Sequence, residues 1–388
     1  MKIKKILLYE TIPIKHTTMK LMLRNTPEGY VFISPEGKSG KIFKLASDSK
    51  LIKRLYKTTI KPFFNIYGLY KKVNAPKIPD NIDLFFSSGI PLDIKKPWIL
   101  EILDHPACMS GYDYDLFLKE KKSIEKKLLS IYCKKIIVMN ELSLEFLKKH
   151  FTEELDEKYE LLRAGVEEQK NIMNNSKEGV QILFMGSLAN PNDFYMKGGL
   201  EAVTSFNKIS KEFPEAKLII RCKTPEEIVE KYKDIPNIEF IEERLSMEAW
   251  ENILRSTDIA LQPGHIYALM GCLEPLSHGI PIVTLDTWSM SSYLDNNKNS
   301  FLIKPSEKIT EYNSIKYPLN LRTKKFVSQI KDIDERVIED ISEALKKLIL
   351  NKNLRKEMGE NGKKTIREKF SIKKRAERLK EIFDEATR

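Results

Sequence analysis

The sequence predicts an α/β protein made of two doubly wound parallel-sheet domains, and three observations carry that prediction. From about residue 180 short apolar runs alternate with longer amphipathic ones, the pattern of strands buried on both faces and linked by helices. In the first half several comparable apolar runs recur. A length of 388 residues is more than one simple core needs and fits two domains of ordinary size.

Taken in order, "KKILLY", "GYVFIS", "NIDLFFSS", "PWILEIL" and "KKIIVMN" read as strands of a first domain, with "YDLFLKEKKSIEKKLLSIY" a helix between them. The polar stretch "GVEEQKNIMNNSKEG" marks the division. Beyond it come strand "VQILFMG", helix "KGGLEAVTSFNKISKEF", strand "AKLIIRC", helix "TPEEIVEKYKD" and strand "NIEFIE". Helix "SMEAWENILRST" follows, opened by a serine cap with Glu248 close behind, then strand "DIALQP", helix "MGCLEPLSHG" and strand "IPIVTLD".

Composition narrows the class. Hydrophobic residues make up 41% and charged residues 31%, as in a soluble globular protein. No apolar run approaches the ~18 residues a membrane span needs. The opening "MKIKKILLYE" carries no small-residue cleavage site and reads as a first strand, not a signal peptide. Cys108, Cys133, Cys222 and Cys272 are scattered without metal-ligand spacing, as expected for reduced core thiols of a cytoplasmic protein.

The net charge of +11 is unevenly placed, with an excess of 9 basic residues in positions 1–170 and 2 in the rest. Lys50 to Lys77 holds eight basic residues, no acidic one, and interleaved Tyr56, Phe63, Phe64, Tyr67 and Tyr70. Such a segment suits an anionic membrane surface or a phosphorylated lipid, on the inner face of the plasma membrane. A solvated lysine-rich helix with its aromatics in the core would read the same way. No nucleic-acid motif accompanies it, and nucleic acid is not expected as a partner.

In open parallel sheets ligands sit at the carboxyl ends of the strands. That directs attention to Gly186 and Ser187, Arg221, Arg244, Pro263 to His265, and Asp286 to Met290. After "VQILFMG" a long loop ends in Lys197-Gly198-Gly199 at a helix start. Glycines admit an anion to backbone amides, the helix N-terminus is partially positive, and Lys197 adds a full charge. The pattern is neither a Walker loop nor GxGxxG, so a plain turn with a surface lysine also fits. Glu274, among small and apolar residues before a Gly-x-Pro turn, could accept two ribose hydroxyls or be a charge favoured by the helix dipole.

"STDIALQP", "CLEPLSHGIPIVTLD", "KNSFLIKP" and the tail "NKNLRKEMGENGKKTIREKFSIKKRAERLKEIFDEA" resemble the C-terminal half of retaining glycosyltransferases of family 4, over residues 180–300 and 340–388. The resemblance is faint over the first half. It implies the GT-B fold, with two Rossmann-like domains facing an interdomain cleft. Residues 1–170 would be the acceptor-binding domain, 171–370 the nucleotide-sugar-binding domain, and 371–388 a last helix crossing back to the first. It further implies hexosyl transfer from a UDP- or GDP-sugar to a glycan or lipid-linked acceptor, with no cofactor and no metal.

Residue by residue, Lys197 matches the lysine that contacts the donor diphosphate, and Glu274 the second glutamate of a Glu-seven residues-Glu motif, a ribose ligand. The first glutamate falls at Ile266, with His265 beside it. The basic residue that should follow Gly186 is Ser187, and Arg221 could replace its charge; Arg244 lies where relatives contact the base. In the first half, Asp104 and His105 follow a strand, where relatives place a histidine near the reacting carbon. His16 lies where relatives carry a glycine-rich loop that is absent here. The "DYD" of Asp113 to Asp115 lacks the context of a metal-binding motif. These departures leave open two other readings, a non-catalytic nucleotide-sugar or glycan-binding protein and a sugar-nucleotide epimerase.

Overall fold

The computed structural model describes residues 3–10, 17–33, 81–103, 105–111, 114–169, 179–188, 190–267, 269–288, 290–309 and 324–388. Asp104, His16, Asp113 and the basic-aromatic segment Lys50 to Lys77 lie outside the described residues. The chain divides into two compact units, Met1–Leu162 with Ala376–Arg388, and Arg163–Arg375.

The first unit carries β1 (Lys4–Glu10), β2 (Tyr30–Ile33), β3 (Leu84–Ser88), β4 (Trp98–Ile102), β5 (Cys133–Val138) and β6 (Tyr159–Leu161). They form one parallel sheet in the order β2-β1-β3-β4-β5-β6. β3 and β4 are buried at every position, which is why they read as unbroken apolar runs rather than alternating ones. The final helix, Ile372–Ala386, presents Leu379, Ile382, Phe383 and Ala386 on one stripe. That stripe is part of the same core as Ile6, Leu8, Leu84 and Phe86. Phe383 meets Tyr30, Phe86 and Phe32 edge-on at ring-centroid distances of 5.2, 5.9 and 6.1 Å. Arg378 grips Glu160 with two bonds of 2.8 and 2.9 Å, and the Tyr30 hydroxyl donates to Asp384 at 2.6 Å.

The second unit carries β7 (Gln181–Met185), β8 (Lys217–Arg221), β9 (Ile238–Ile241), β10 (Ile259–Gln262), β11 (Ile282–Leu285) and β12 (Ser300–Ile303). Their order is β12-β11-β10-β7-β8-β9, again all parallel. The chain starts in the middle, runs out to β9, then returns to the other side of β7, so the topological switch point lies between β7 and β10. The β7–β10 ladder is short, pairing only Ile182 with Ile259 and Leu183 with Ala260. Past it, with its amide nitrogen turned toward the Met185 carbonyl, the Gln262 side chain donates to that carbonyl at 3.1 Å and accepts from the Met185 N–H at 2.8 Å, the orientation that satisfies both groups. One polar side chain thus satisfies backbone groups that would otherwise be buried unpaired where the strands part. The unit is closed where its two ends meet: Val166 N–H donates to the Phe370 carbonyl at 2.8 Å, and Ile372 N–H to that of Val166 at 3.2 Å.

The α/β class and the two parallel sheets agree with the sequence expectation, and the Ser246 cap is made, accepting from Ala249 N–H at 3.1 Å. All four cysteines are buried. Among the described residues no helix is long and apolar enough to cross a membrane, and no cluster of three or more His, Cys, Asp or Glu is arranged to hold a metal ion.

Candidate functional site

The carboxyl end of β7 leads through a loop and a short helix, Asn192–Met196, to Lys197. Lys197 N–H donates to Asp193 and Gly198 N–H to Tyr195, at 2.9 and 3.0 Å. Gly198 then takes φ +82° and caps the helix Gly199–Ile209. A Cβ on Gly198 would stand 1.9 Å from the Pro263 carbonyl oxygen at the end of β10. Glycine is therefore required twice over, for the left-handed backbone and for the close approach. Gly198→Ala is expected to cost at least about 2 kcal/mol from the left-handed penalty and the clash together, read as a fall in melting temperature. Gly186, just past β7, is tied in the same way, since a Cβ there would meet the Cys222 sulfur at 2.1 Å. The Ser187 carbonyl accepts from Lys223 N–H at 2.9 Å, so the ends of β7 and β8 are laced together.

Glu274 lies on the helix Leu269–Ser277, which follows β10. Its Oε1 accepts from the Trp250 indole N–H at 3.1 Å. Burial pushes its carboxyl above the ordinary value, with the Trp250 bond and the Arg221 charge pulling back and Glu251 adding to the rise. Arg221, at the end of β8, lies with its guanidinium over the Trp250 ring, 5.4 Å from the centroid, the geometry of a cation–π contact. Burial pulls its pKa down, Cys222 and Glu274 push it back up, and Arg244 adds to the fall. At neutral pH it stays charged. Arg221, Trp250 and Glu274 thus form one group drawn from three elements. Arg244 is exposed, within electrostatic reach of Arg221.

Lys197 belongs to the same end of the sheet. Burial raises the thiol of Cys272, two residues before Glu274, to about 12, and the Lys197 charge is among the influences that lower it. A thiol so raised is inert, so the cysteine serves packing.

His265, in the loop after β10, is only 4% exposed, and its Nε2 is 2.7 Å from Oε1 of Glu201, which is also 4% exposed. Ile266, where the resemblance puts a glutamate, is half-buried.

In the first unit His105 is buried at the start of the 3₁₀ turn Pro106–Ser110. Its Nδ1 accepts from Ala107 N–H at 3.1 Å, and its ring stands edge-on to Phe146, centroids 4.6 Å apart. With Nδ1 an acceptor, the neutral ring carries its proton on Nε2. His105 is thus a buried cap of the turn that follows β4.

The structure therefore gathers Gly186, Ser187, Lys197, Arg221, His265 and Glu274 at the carboxyl end of the second sheet. The sequence reading missed Trp250 and Glu201. The only available signal was Trp250 on the inner side of an amphipathic helix, and for Glu201 a lone acidic residue inside an apolar helix.

Two α/β units, each built on a parallel six-stranded sheet, agree with the GT-B fold expected from the sequence. Solved structures share it over nearly the whole chain. WaaG, a glycosyltransferase involved in lipopolysaccharide biosynthesis, is similar at 14% identity and TM-score 0.59, covering 98% of this chain and 99% of that one. A glycosyltransferase from Rickettsia africae ESF-5 is similar at 13% identity and TM-score 0.60, covering 99% and 98%. Anabaena Alr3699/HepE, solved with UDP and glucose, is similar at 9% identity and TM-score 0.59, covering 98% and 99%. At such identities the likeness is one of fold. No protein-family model matches the chain, and no curated protein matches it.

Proposed function

We propose that the protein is a glycosyltransferase that moves a hexosyl group from a nucleotide-sugar to the hydroxyl of a glycan or lipid-linked glycan, with retention of configuration. The observation that carries this reading is the held carboxylate of Glu274 at the same sheet end as Lys197 and the switch point. A nucleoside diphosphate offers a diol and an anion, and this end of the sheet offers an acceptor and a cation. A UDP-sugar is the first donor to try, since HepE was solved with UDP and glucose; a GDP-sugar is the second.

In this reading Glu274 accepts the ribose hydroxyls, while Trp250 fixes one of its oxygens and Arg221 balances its charge. Lys197 and the start of the helix Gly199–Ile209 meet the diphosphate. As the bond from sugar to phosphate breaks, negative charge grows on the leaving diphosphate. A cation and backbone dipoles already in place bind that charge more tightly in the transition state than in the ground state. The first unit receives the acceptor, with His105 lining the place where it reacts.

That role for His105 has a separable test. His105→Asn keeps a capping oxygen and is expected to cost about 1 kcal/mol, for the lost Phe146 contact. His105→Ala should cost about 1 kcal/mol more, for the lost cap. Both should lower turnover about tenfold or more, since the ring's place fixes how the reacting pair is held. Normal turnover in a folded His105→Asn would remove the residue from the reaction.

The donor reading itself is tested by thermal shift with UDP, GDP, ADP and CMP. A ligand at 100 times its dissociation constant stabilises the fold by about 2.7 kcal/mol. A shift with one of them is the expected result, and no shift with any would refute the reading.

A further inference from the structure

The buried pair of Glu201 and His265 is not explained by any donor contact. One carboxylate oxygen of Glu201 bonds the imidazole at 2.7 Å, and the other, Oε2, is buried without a hydrogen bond. A half-satisfied buried carboxylate is costly, and this one is the sole acidic residue in the first turn of the helix Gly199–Ile209. An unpaired anion there would oppose any diphosphate at the helix start. Its bond to His265 keeps that charge engaged inside the protein.

His265 is held from three sides. Its N–H donates to the carbonyl of Met196, the residue before Lys197, at 3.0 Å. Its carbonyl accepts from the Trp288 indole N–H at 3.0 Å, and its ring bonds Glu201. Trp288 is fully buried and sits at φ +55°, a left-handed backbone that costs a bulky residue energy. Its neighbour Thr287 donates to the Gly264 carbonyl at 2.8 Å, and the Pro263 carbonyl fills the space beside Gly198. Residues 263–265 therefore brace the turn 196–198 from behind, and Glu201 is the side chain that ties the following helix to that brace.

We propose that Glu201 and His265 are positioning residues for Lys197. Their bond fixes the helix start against the loop after β10 and so sets where the ammonium meets the diphosphate of the donor. This rests on the donor-site reading above, and neither residue touches the donor.

The test compares binding of UDP with binding of uridine, or GDP with guanosine should UDP not bind. Uridine lacks the group that Lys197 meets, so a general loss of structure weakens both ligands, whereas misplacing Lys197 weakens only the diphosphate. Glu201→Leu is expected to weaken UDP about tenfold, with uridine changed less than about twofold, against a loss of about tenfold or more for Lys197→Ala. The double variant Glu201→Leu/Lys197→Ala should bind UDP no more weakly than Lys197→Ala, because one residue acts through the other. His265→Ala breaks the same bond from the other side and gives the same pattern if Glu201→Leu does not fold. His265→Gln, whose amide can reach the carboxylate, should restore most of the UDP affinity. Equal losses for UDP and uridine, additive losses in the double variant, or unchanged UDP binding would each overturn the proposal while leaving the donor site standing. A wild type that binds no nucleoside diphosphate would instead remove the donor-site reading, and this proposal with it.

Discussion

Glu274→Gln is expected to lose nucleotide binding and to gain stability at neutral pH. The carboxyl is raised above its ordinary 4.5 chiefly by burial, with the Trp250 bond and Arg221 only partly offsetting that. A folded-state pKa above the unfolded one means the folded chain holds the proton over a pH window in which the unfolded chain has released it. Stability from this group is therefore full below about 4.5 and is lost as pH rises through the raised value. Glutamine keeps an acceptor for the Trp250 N–H and removes the charge, so that loss does not occur. In melting curves the unliganded variant should exceed wild type near pH 7.5, with the gap closing as pH falls toward 4.5. The ligand-induced shift should disappear together with hydrogen bonds to a charged acceptor, which are worth about 1.5–3 kcal/mol, roughly 10- to 100-fold in affinity. A carboxylate kept at a cost to the fold is what a functional site, unlike a structural one, would show. A variant that is less stable at neutral pH yet still binds nucleotide would assign Glu274 to structure.

Phe383→Ala should be the most damaging change outside the site. The ring is fully buried and meets three aromatic rings of the first unit. Truncating such a residue costs about 3–5 kcal/mol, out of a total stability of about 5–15 kcal/mol for a typical domain. The Tyr30–Asp384 bond and the Arg378–Glu160 pair lie on the same helix and would lose their geometry as the helix loosens. Urea unfolding followed by a probe in the first unit should show an earlier transition, with the second unit changed little. A loss below about 1 kcal/mol would mean that the last helix is not part of the core of the first unit.

What could be read from the sequence follows the range of the signal. Strands buried on both faces were legible because they are short apolar runs between amphipathic helices, as in "VQILFMG" and "IPIVTLD". β6 was not foreseen: it has three residues, one of them Glu160, none fully buried, and so no run to detect. Lys197 and Glu274 were legible because glycine spacing and an isolated charge are local features. Trp250 and Glu274 are 24 residues apart and on different helices, and Glu201 and His265 are 64 apart. Such pairs are created by strand order, which puts β10 beside β7 only after the chain has built β8 and β9. His105 stood out by its place after a strand, but its capping bond, which decides the ring's proton, became apparent only with the turn formed.

The most direct measurement of the central claim is release of nucleoside diphosphate from a panel of UDP- and GDP-sugars, with and without a glycolipid extract as acceptor. The account predicts release from one donor, accelerated by the extract, abolished in Glu274→Ala and strongly reduced in Lys197→Ala. Tight nucleotide binding with no release from any donor, with or without acceptor, would contradict it and leave a binding protein on a glycosyltransferase fold.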